Sequence, residues 1–257
     1  MIALTTINTW KCDGDYFNRL EVLFRNIESN KTQLLLLQEA FQSADNLYDT
    51  TRYLADKLGY NYASSRSRPK KRKLNGVFVE SYSNVSILSK YPIVSSTIVP
   101  MPSDEADGGR EAIASEIIIN NKRILVISIH LSHLRNDELR KQQLSDLLCQ
   151  PFLQSEYDGI FVGGDFNATI SKEYLALFQQ GLFSIEDTHN YKTGSEGPEY
   201  TFLMENFSKK IDHILQISLK GKKMLEISDS KIVFHEPDPK PGIKASDHNG
   251  VMIHINI

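Results

Sequence analysis

Gly-Ile-Phe-Val-Gly-Gly-Asp-Phe-Asn, residues 159–167, is the stretch on which the fold turns. Its first part, Gly159–Gly164, is a short apolar run with the length of a strand buried in a sheet. Two polar side chains follow at once, Asp165 and Asn167. A carboxylate at the end of a buried strand is costly unless it meets a partner, a metal or a substrate. An Asx turn capping the next segment is the plainer reading of the pair.

The same arrangement recurs in both directions. Asn8 closes a β-rich opening, Ile2–Thr9. Glu39 closes Gln33–Glu39, which holds four consecutive leucines. His130 closes the strand after Arg123. Asp212 and His213 sit in Lys210–Ile217, and adjacent strand residues face opposite ways, so only one of them shares a face with the rest. Asp247 and His248 precede Gly250–Ile257, where Val251, Ile253 and Ile255 alternate onto one face. Carboxylates, carboxamides and imidazoles at this many strand ends describe a site at one edge of a sheet or sandwich.

Between these strands the apolar spacing changes to that of helices. Leu20, Leu23, Phe24 and Ile27 give a helix over Asp15–Lys31. Ser43–Leu58 reads as a second, stopped by Gly59. Asn136 caps a third through about Leu153, with Leu139, Leu144, Leu147 and Leu148 inward and Pro151 perturbing its end. Ser171–Gln180 is a fourth, capped by Ser171 and ended by Gly181. Further strands are expected at Val77–Tyr82, Val85–Leu88, Ala112–Ile119 and Arg123–His130, the last two forming a hairpin across Asn120-Asn121-Lys122. The loops at 64–76, 100–111, 188–200 and 236–247 are long, and such loops carry function. No repeat or linker interrupts the pattern, so residues 1–257 are read as a single α/β domain.

Bulk properties exclude several classes. The chain has 257 residues, 40% of them hydrophobic and 9% aromatic, which supports a large core and argues against disorder. A net charge of -3 does not describe a general nucleic-acid binder, so an anionic substrate must be met by a local patch or a metal. With two cysteines, Cys12 and Cys149, the chain argues against a disulfide framework and against a four-cysteine zinc site. No run approaches the ~18 apolar residues of a membrane span. With no signal-peptide pattern at its start the chain is expected to be cytoplasmic, although a removed leader would leave no trace. A Gly-rich phosphate loop of nucleotide switches is absent.

The residue types at the strand ends suit one chemistry. Glu39, Asn8 and Asp247 offer hard oxygen ligands for Mg²⁺, with Mn²⁺ as a plausible substitute. Such an ion polarises a phosphoryl oxygen. Imidazole and carboxylate can prepare the attacking water, and cationic donors such as Arg110 and His130 can hold the charge that develops on phosphorus.

With these residues in place, the chain resembles the endonuclease/exonuclease/phosphatase superfamily. The motifs run in order: Thr-Ile-Asn-Thr-Trp (6–10), Leu-Leu-Gln-Glu (36–39), Ser-Ile-Leu-Ser-Lys-Tyr-Pro-Ile (86–93), Gly-Arg-Glu-Ala (109–112), Ile-His-Leu (129–131), Gly-Gly-Asp-Phe-Asn (163–167), Tyr-Thr-Phe (200–202), Lys-Ile-Asp-His-Ile (210–214) and Ser-Asp-His (246–248). The resemblance implies a four-layer α/β sandwich: two mostly antiparallel sheets face to face, with helices outside. It implies Glu39 as principal metal ligand, with Asn8 and Asp247 close to the ion. Asp165 and Asn167 would orient or activate the water, Asp212 would pair with His248, and His130 and His248 would contact the scissile phosphate. Either His248 is the base, or it clamps phosphate while Asp165 is the base. Arg110 matches a position often basic. Two departures stand out: Asn84, where many members have Gly, and His133, which gives an unassigned Leu-Ser-His variant.

Plainer readings stand beside these. Glu39 could serve a structural salt bridge, Asp212 and His248 a structural pair, and Arg110 could be a solvated loop charge. The run Arg66–Lys73 is the strongest charge feature and reads as a loop, either solvated or in contact with a phosphate backbone. Asp104, Glu105 and Asp107 read as a solvated acidic stretch. The other histidines, His133 included, read as non-catalytic, and both cysteines as inert. The expected function is a metal-dependent phosphoesterase that hydrolyses a phosphodiester or phosphomonoester by metal-assisted in-line attack of water; the substrate is left open, and the basic run points toward nucleic acid as one candidate. The rivals are a lipid or small-molecule phosphodiesterase of sphingomyelinase or inositol-phosphatase type, and an idle binding protein on the same fold.

Overall fold

A computed structural model describes residues 1–178, 182–191, 198–204, 207–238 and 242–257. Two large sheets dominate. The first is built from β1 (Ile2–Asn8), β2 (Leu34–Ser43), β3 (Asn61–Ser64), β4 (Lys70–Leu74), β5 (Val77–Ser89), β14 (Ile227–Val233) and β15 (Gly250–Ile255), in the order β14-β15-β1-β2-β5-β3, with β4 also paired to β5. The second has β6 (Ile93–Met101), β7 (Arg110–Ile119), β8 (Lys122–His130), β9 (Gly159–Asp165), β10 (Phe183–Asp187) and β13 (Asp212–Leu219), in the order β10-β13-β9-β8-β7-β6. A small hairpin joins β11 (Phe202–Met204) to β12 (Phe207–Lys209).

The sheets face each other across one apolar layer. Leu4, Leu34, Leu36, Val251 and Ile253 from the first meet Ile124, Val126, Phe161 and Ile214 from the second. Helices α1 (Tyr16–Ser29) and α2 (Thr50–Leu58) cover the outer face of the first sheet through Val22, Leu23, Ile27 and Leu54. Helices α3 (Asp137–Leu148) and α4 (Lys172–Ala176) cover the second through Leu144, Leu147 and Leu175. The expected sandwich of two sheets between helical layers is therefore observed. No described helix is long and apolar enough to cross a membrane.

Among the described residues two strand pairings are parallel, β1 with β2 and β8 with β9, and the others are antiparallel. The glycines of β9 sit where side chains have little room. A Cβ on Gly164 would lie 1.9 Å from the Ile129 carbonyl oxygen, and one on Gly163 would lie 2.6 Å from Leu36 Cδ1. Backbone stands in the way at Gly164, so only glycine fits there, whereas a side chain at Gly163 would have to displace the end of Leu36.

Several element boundaries differ from expectation. The leucine strand does not stop at Glu39: it bulges between Leu37 and Ala40 and continues to Ser43. Ala40–Ser43 pairs with β5, so the second helix begins only at Thr50, capped by Asp49. Val77–Ser89 is one continuous strand rather than two. The basic run expected as a loop contains β4, joined to β5 by Asn75 (φ 46) and Gly76 (φ 85). Two positive φ values mark the tight hairpin turn that Asn-Gly favours. The same turn at Asn120 (φ 50) and Asn121 (φ 63) joins β7 to β8 as expected. The third helix ends at Leu148, and Pro151–Gln154 forms a separate 3₁₀ turn, because proline cannot donate to the helical ladder. Helix α4 ends at Ala176; Gln179, Gln180 and Gly181 lie outside the described residues, as do parts of the loops at 188–200 and 236–247.

Candidate active site

Strand register alone gathers three of the expected residues. His130 pairs with Asp165 across β8 and β9, and Asp165 pairs with Asp212 across β9 and β13. Residues in register share a face, so the three side chains stand side by side. His213 faces the other way and bonds Asp187 with its Nδ1 at 3.0 Å. His248 arrives from the opposite sheet, on the segment before β15. Its Nδ1 lies 2.8 Å from Asp212 Oδ2, and its Nε2 lies 3.9 Å from Asp165 Oδ2.

Asp165 Oδ2 is the hub. Asn8 Nδ2 donates to it at 3.0 Å from the facing sheet, and His130 Nε2 is 3.5 Å away. The other oxygen, Oδ1, accepts the Asn167 backbone N–H at 2.8 Å, so the Asx turn is real as well. Asn167 Nδ2 donates to the Leu131 carbonyl at 3.0 Å, tying this turn to the residue after His130.

The charges in this cluster are set by burial and by each other. Burial opposes a charge on His248, but Asp212, Asp165 and Asp247 outweigh it and raise the imidazole to about 10. Burial and the neighbouring Asp212 push the Asp165 carboxyl up to about 7, against the pull of His248 and the donors Asn167 and Asn8. Burial, then Arg110 and Arg68, hold His130 well below the usual imidazole range. At neutral pH the cluster thus combines a cationic His248, a neutral His130 and a carboxyl poised near its midpoint. Ligand atoms of Asp165, Asp212 and His248 lie within 4.8 Å of one another. The 2.8 Å Asp212–His248 hydrogen bond makes this a proton-bridged group, not a set of vacant ligands.

Glu39 owes its position to the bulge. Its φ is 52, its carbonyl accepts from the Lys11 backbone N–H at 3.2 Å, and its side chain turns into the cleft. Bulges redirect side chains in this way. Lys11 Nζ sits 3.1 Å from Oε2 and Arg68 Nη1 3.7 Å from Oε1. Burial and the negative charge of Glu39 both push the Asp247 carboxyl up. Glu39 and Asp247, two oxygen-donor side chains lining one cleft with Asn8 beside them, fit a hard divalent cation.

Eight of the nine expected residues, Asn8, Glu39, Arg110, His130, Asp165, Asn167, Asp247 and His248, line one cleft of about 480 Å³. The ninth, Asp212, is fully buried behind His248. Arg68, Lys70, Lys71, Arg72 and Lys73 line the same cleft, so the basic run does border the site, as a strand edge rather than a loop.

Two readings need correction. Asp107 is not solvated: it is 1% exposed and takes Arg110 as a two-pronged partner, Nε to Oδ2 at 2.9 Å and Nη2 to Oδ1 at 2.6 Å. Arg110 is therefore no solvated loop charge either, being 3% exposed. Asn84 also gains a role: it is buried, donates to Gln42 Oε1 and accepts the Ser67 backbone N–H, which anchors the segment carrying Arg68.

Some contributors were not foreseen. Arg19, buried on α1, donates to the carbonyls of Thr9 (3.0 Å) and Ala245 (2.9 Å), fastening the segments that carry Asn8 and Asp247 to one helix. Thr201 Oγ1 accepts from the backbone N–H groups of Ile211 and Asp212, both at 3.0 Å. The Phe202 ring lies 4.8 Å from the His248 ring. Thr201 and Phe202 belong to a quoted motif but carry no physical role legible in the sequence; Arg19, buried and outside every quoted motif, gave no signal at all.

The Endonuclease/Exonuclease/phosphatase family model matches residues 5–248. The chain belongs to this family. Solved structures of family members share its fold. A family protein from Leptotrichia buccalis is 18% identical, with a TM-score of 0.78 and both chains covered in full. A humanized D. rerio TDP2 is 18% identical, with a TM-score of 0.76, covering 100% of this chain and 99% of that one. The mannosyl-6-phosphatase Bt3783 of Bacteroides thetaiotaomicron is 14% identical, with a TM-score of 0.73 and full coverage of both. No curated protein sequence matches this chain.

Proposed function

We propose that this chain is a metal-dependent hydrolase of phosphate esters that cleaves phosphodiester bonds in nucleic acid. The observation that carries the reading is the Asp165-centred cluster of Asn8, His130, Asp212 and His248 beside Glu39. An idle scaffold has no need to keep a buried carboxyl near neutrality between two histidines.

Glu39, Asn8 and Asp247 would hold Mg²⁺, with Mn²⁺ as a substitute. A bound ion supplies polarisation of a phosphoryl oxygen. The remaining steps fall to the chain's own groups. Asp165, with its carboxyl near 7, takes the proton of the attacking water. His248, kept charged by Asp212, clamps a phosphoryl oxygen and is too basic to accept that proton. Neutral His130 donates a hydrogen bond to the phosphoryl group, and Asn167 orients the water. On this proposal Asp165 is the base and His248 the phosphate clamp.

The basic edge supports a polyanionic substrate, since Arg68, Lys70, Lys71 and Lys73 border the same cleft. D. rerio TDP2, a fold relative at 16% identity, was solved with a single-strand DNA product. A second reading rests on the tip of the β4–β5 hairpin, where Val77 is 65% and Phe78 70% exposed beside these lysines. Apolar and basic groups together also suit a lipid surface, and hence a lipid phosphodiester.

Hydrolysis of bis-p-nitrophenyl phosphate tests the chemistry. Activity should vanish in EDTA and return with Mg²⁺ or Mn²⁺, and Glu39→Ala should lower it on the order of 10³-fold. Full turnover in EDTA, or an active Glu39→Ala protein, refutes the reading. Cleavage of single-stranded oligonucleotides but not of phospholipid vesicles separates the two substrates.

A further inference from the structure

Arg110 has few hydrogen-bond donors left for a substrate. Of its five N–H groups, Nε and one on Nη2 go to Asp107, and one on Nη1 goes to the His130 carbonyl at 3.3 Å. Its charge is also matched by a buried carboxylate. The exposed member of this cluster is His133, whose side chain is 50% exposed and lines the cleft. Its Nδ1 lies 2.8 Å from Asp107 Oδ1 and 2.9 Å from Arg110 Nη2. With Nδ1 held there, Nε2 is the ring nitrogen left for a ligand.

The backbone around His133 is fixed as well. Gln143 Oε1 accepts the Ser132 N–H at 2.9 Å, and Arg140 Nη1 donates to the carbonyls of Ser132 and Leu134 on either side. Gln143 and Arg140 are themselves buried. A half-exposed imidazole with a fixed backbone, a buried carboxylate behind one nitrogen and a cleft beside it is built for contact with a ligand. A surface histidine with no such duty needs none of these constraints.

We propose that His133 is a substrate-anchoring residue that binds a second phosphate, one flanking the phosphate under attack. Asp107 and Arg110 are its positioning residues. This rests on the reading of the cleft as a phosphate-ester site. The attacked phosphate belongs beside Asp165, where His130 Nε2 and His248 Nε2 lie 3.5 and 3.9 Å from one carboxylate oxygen. His133 lines the same cleft and is tied to a different partner set: Arg110 bonds the His133 ring through Nη2 and the His130 backbone carbonyl through Nη1, while among the described residues no hydrogen bond links His133 to Asp165. Nδ1 faces Asp107 and Arg110, which leaves Nε2 to present its N–H to an anion. Arg68 and Arg110 are among the cations that line this cleft, and Asp107 is the carboxylate that Arg110 and His133 share.

Calorimetric binding to the metal-free protein tests this without hydrolysis. The probes are thymidine 5′-monophosphate and thymidine 3′,5′-bisphosphate, with inositol 1-phosphate and inositol 1,4-bisphosphate as a second pair. The wild type should bind a bisphosphate at least about tenfold more tightly than its monophosphate. His133→Gln should collapse that ratio toward one, and His133→Arg should keep it. A preference within the thymidine pair names a nucleic-acid backbone as the source of the second phosphate; a preference within the inositol pair names a polyol phosphate. An unchanged ratio in His133→Gln, or no preference in the wild type, overturns the proposal. An intact ratio in a protein that fails to hydrolyse any ester would instead strike the proposed chemistry.

Discussion

The two sides of the cleft are built on opposite principles. One wall, formed by Asn8, His130, Asp165, Asp212 and His248, is buried, and each member is held by at least one other. The other side is the rim of β4, where Lys70, Lys71 and Lys73 are exposed and Lys71 meets only Glu80 at 3.4 Å. A buried wall holds charges at fixed positions in a low dielectric, which is what bond-breaking needs. An exposed rim of flexible cations attracts anions without choosing among them, and its effect fades with salt. On this reading the wall defines the bond, and the rim and His133 bear on whose bond it is.

The largest effect should come from the wall. His248→Ala and Asp212→Ala should each lower kcat by on the order of 10²–10⁴-fold. Because Asp212 acts through His248, the double variant should be little worse than the poorer single one. Losses that multiply in full would mean that the 2.8 Å pair does not work as a unit, and the wall would be a set of independent groups.

A smaller effect belongs to the rim. Replacing Lys70, Lys71 and Lys73 with glutamine should raise KM for a single-stranded oligonucleotide by roughly tenfold at low salt, with kcat nearly kept. The salt dependence should flatten by about 0.7 in slope for each phosphate that a lysine no longer neutralises. Equal losses on bis-p-nitrophenyl phosphate would show that the rim reaches the attacked phosphate, and the division between the two sides would fail.

The two sides also differed in how legible they were. The wall could be read because its residues close apolar strands of fixed period, and register then carries side chains to a common face. Asp165 beside His130 and Asp212 follows from that alone. Glu39 was found for a partly wrong reason: it does not end its strand but sits on a bulge, and a bulge leaves no periodic trace. The rim was misread as a loop although Asn75-Gly76 is a strong hairpin signal, because clustered lysines and arginines hid the alternation of Arg72 and Leu74 inward with Lys71 and Lys73 outward. Asp107 and Arg19 were invisible for a different reason. Their partners, Arg110 apart, are backbone carbonyls or residues far along the chain, and no local pattern predicts a buried ion pair.

The smallest predicted effect concerns what stands behind the wall. On the reverse face of β13, His213 Nδ1 lies 3.0 Å from Asp187 Oδ2, and Lys210 Nζ lies 3.3 Å from the same oxygen. Burial opposes the Asp187 charge, but the hydrogen bond and charge of His213, with Lys210 and the His189 N–H, hold its carboxyl well below the usual range. A depressed folded pKa stabilises the native state above the unfolded value, about 3.9 for aspartate, and that contribution disappears as pH falls through the folded value. Asp187→Asn should therefore cost about 3 kcal/mol at pH 7 in urea denaturation, and the gap from wild type should narrow only below about pH 4. No such acid-dependent gap should follow from the rim substitutions, whose lysines are solvated in both states. A gap of constant size from about pH 7 to about pH 3 would mean that Asp187 serves the fold through shape and not through charge, and the electrostatic contrast between buried wall and open rim would then hold only in front of β13.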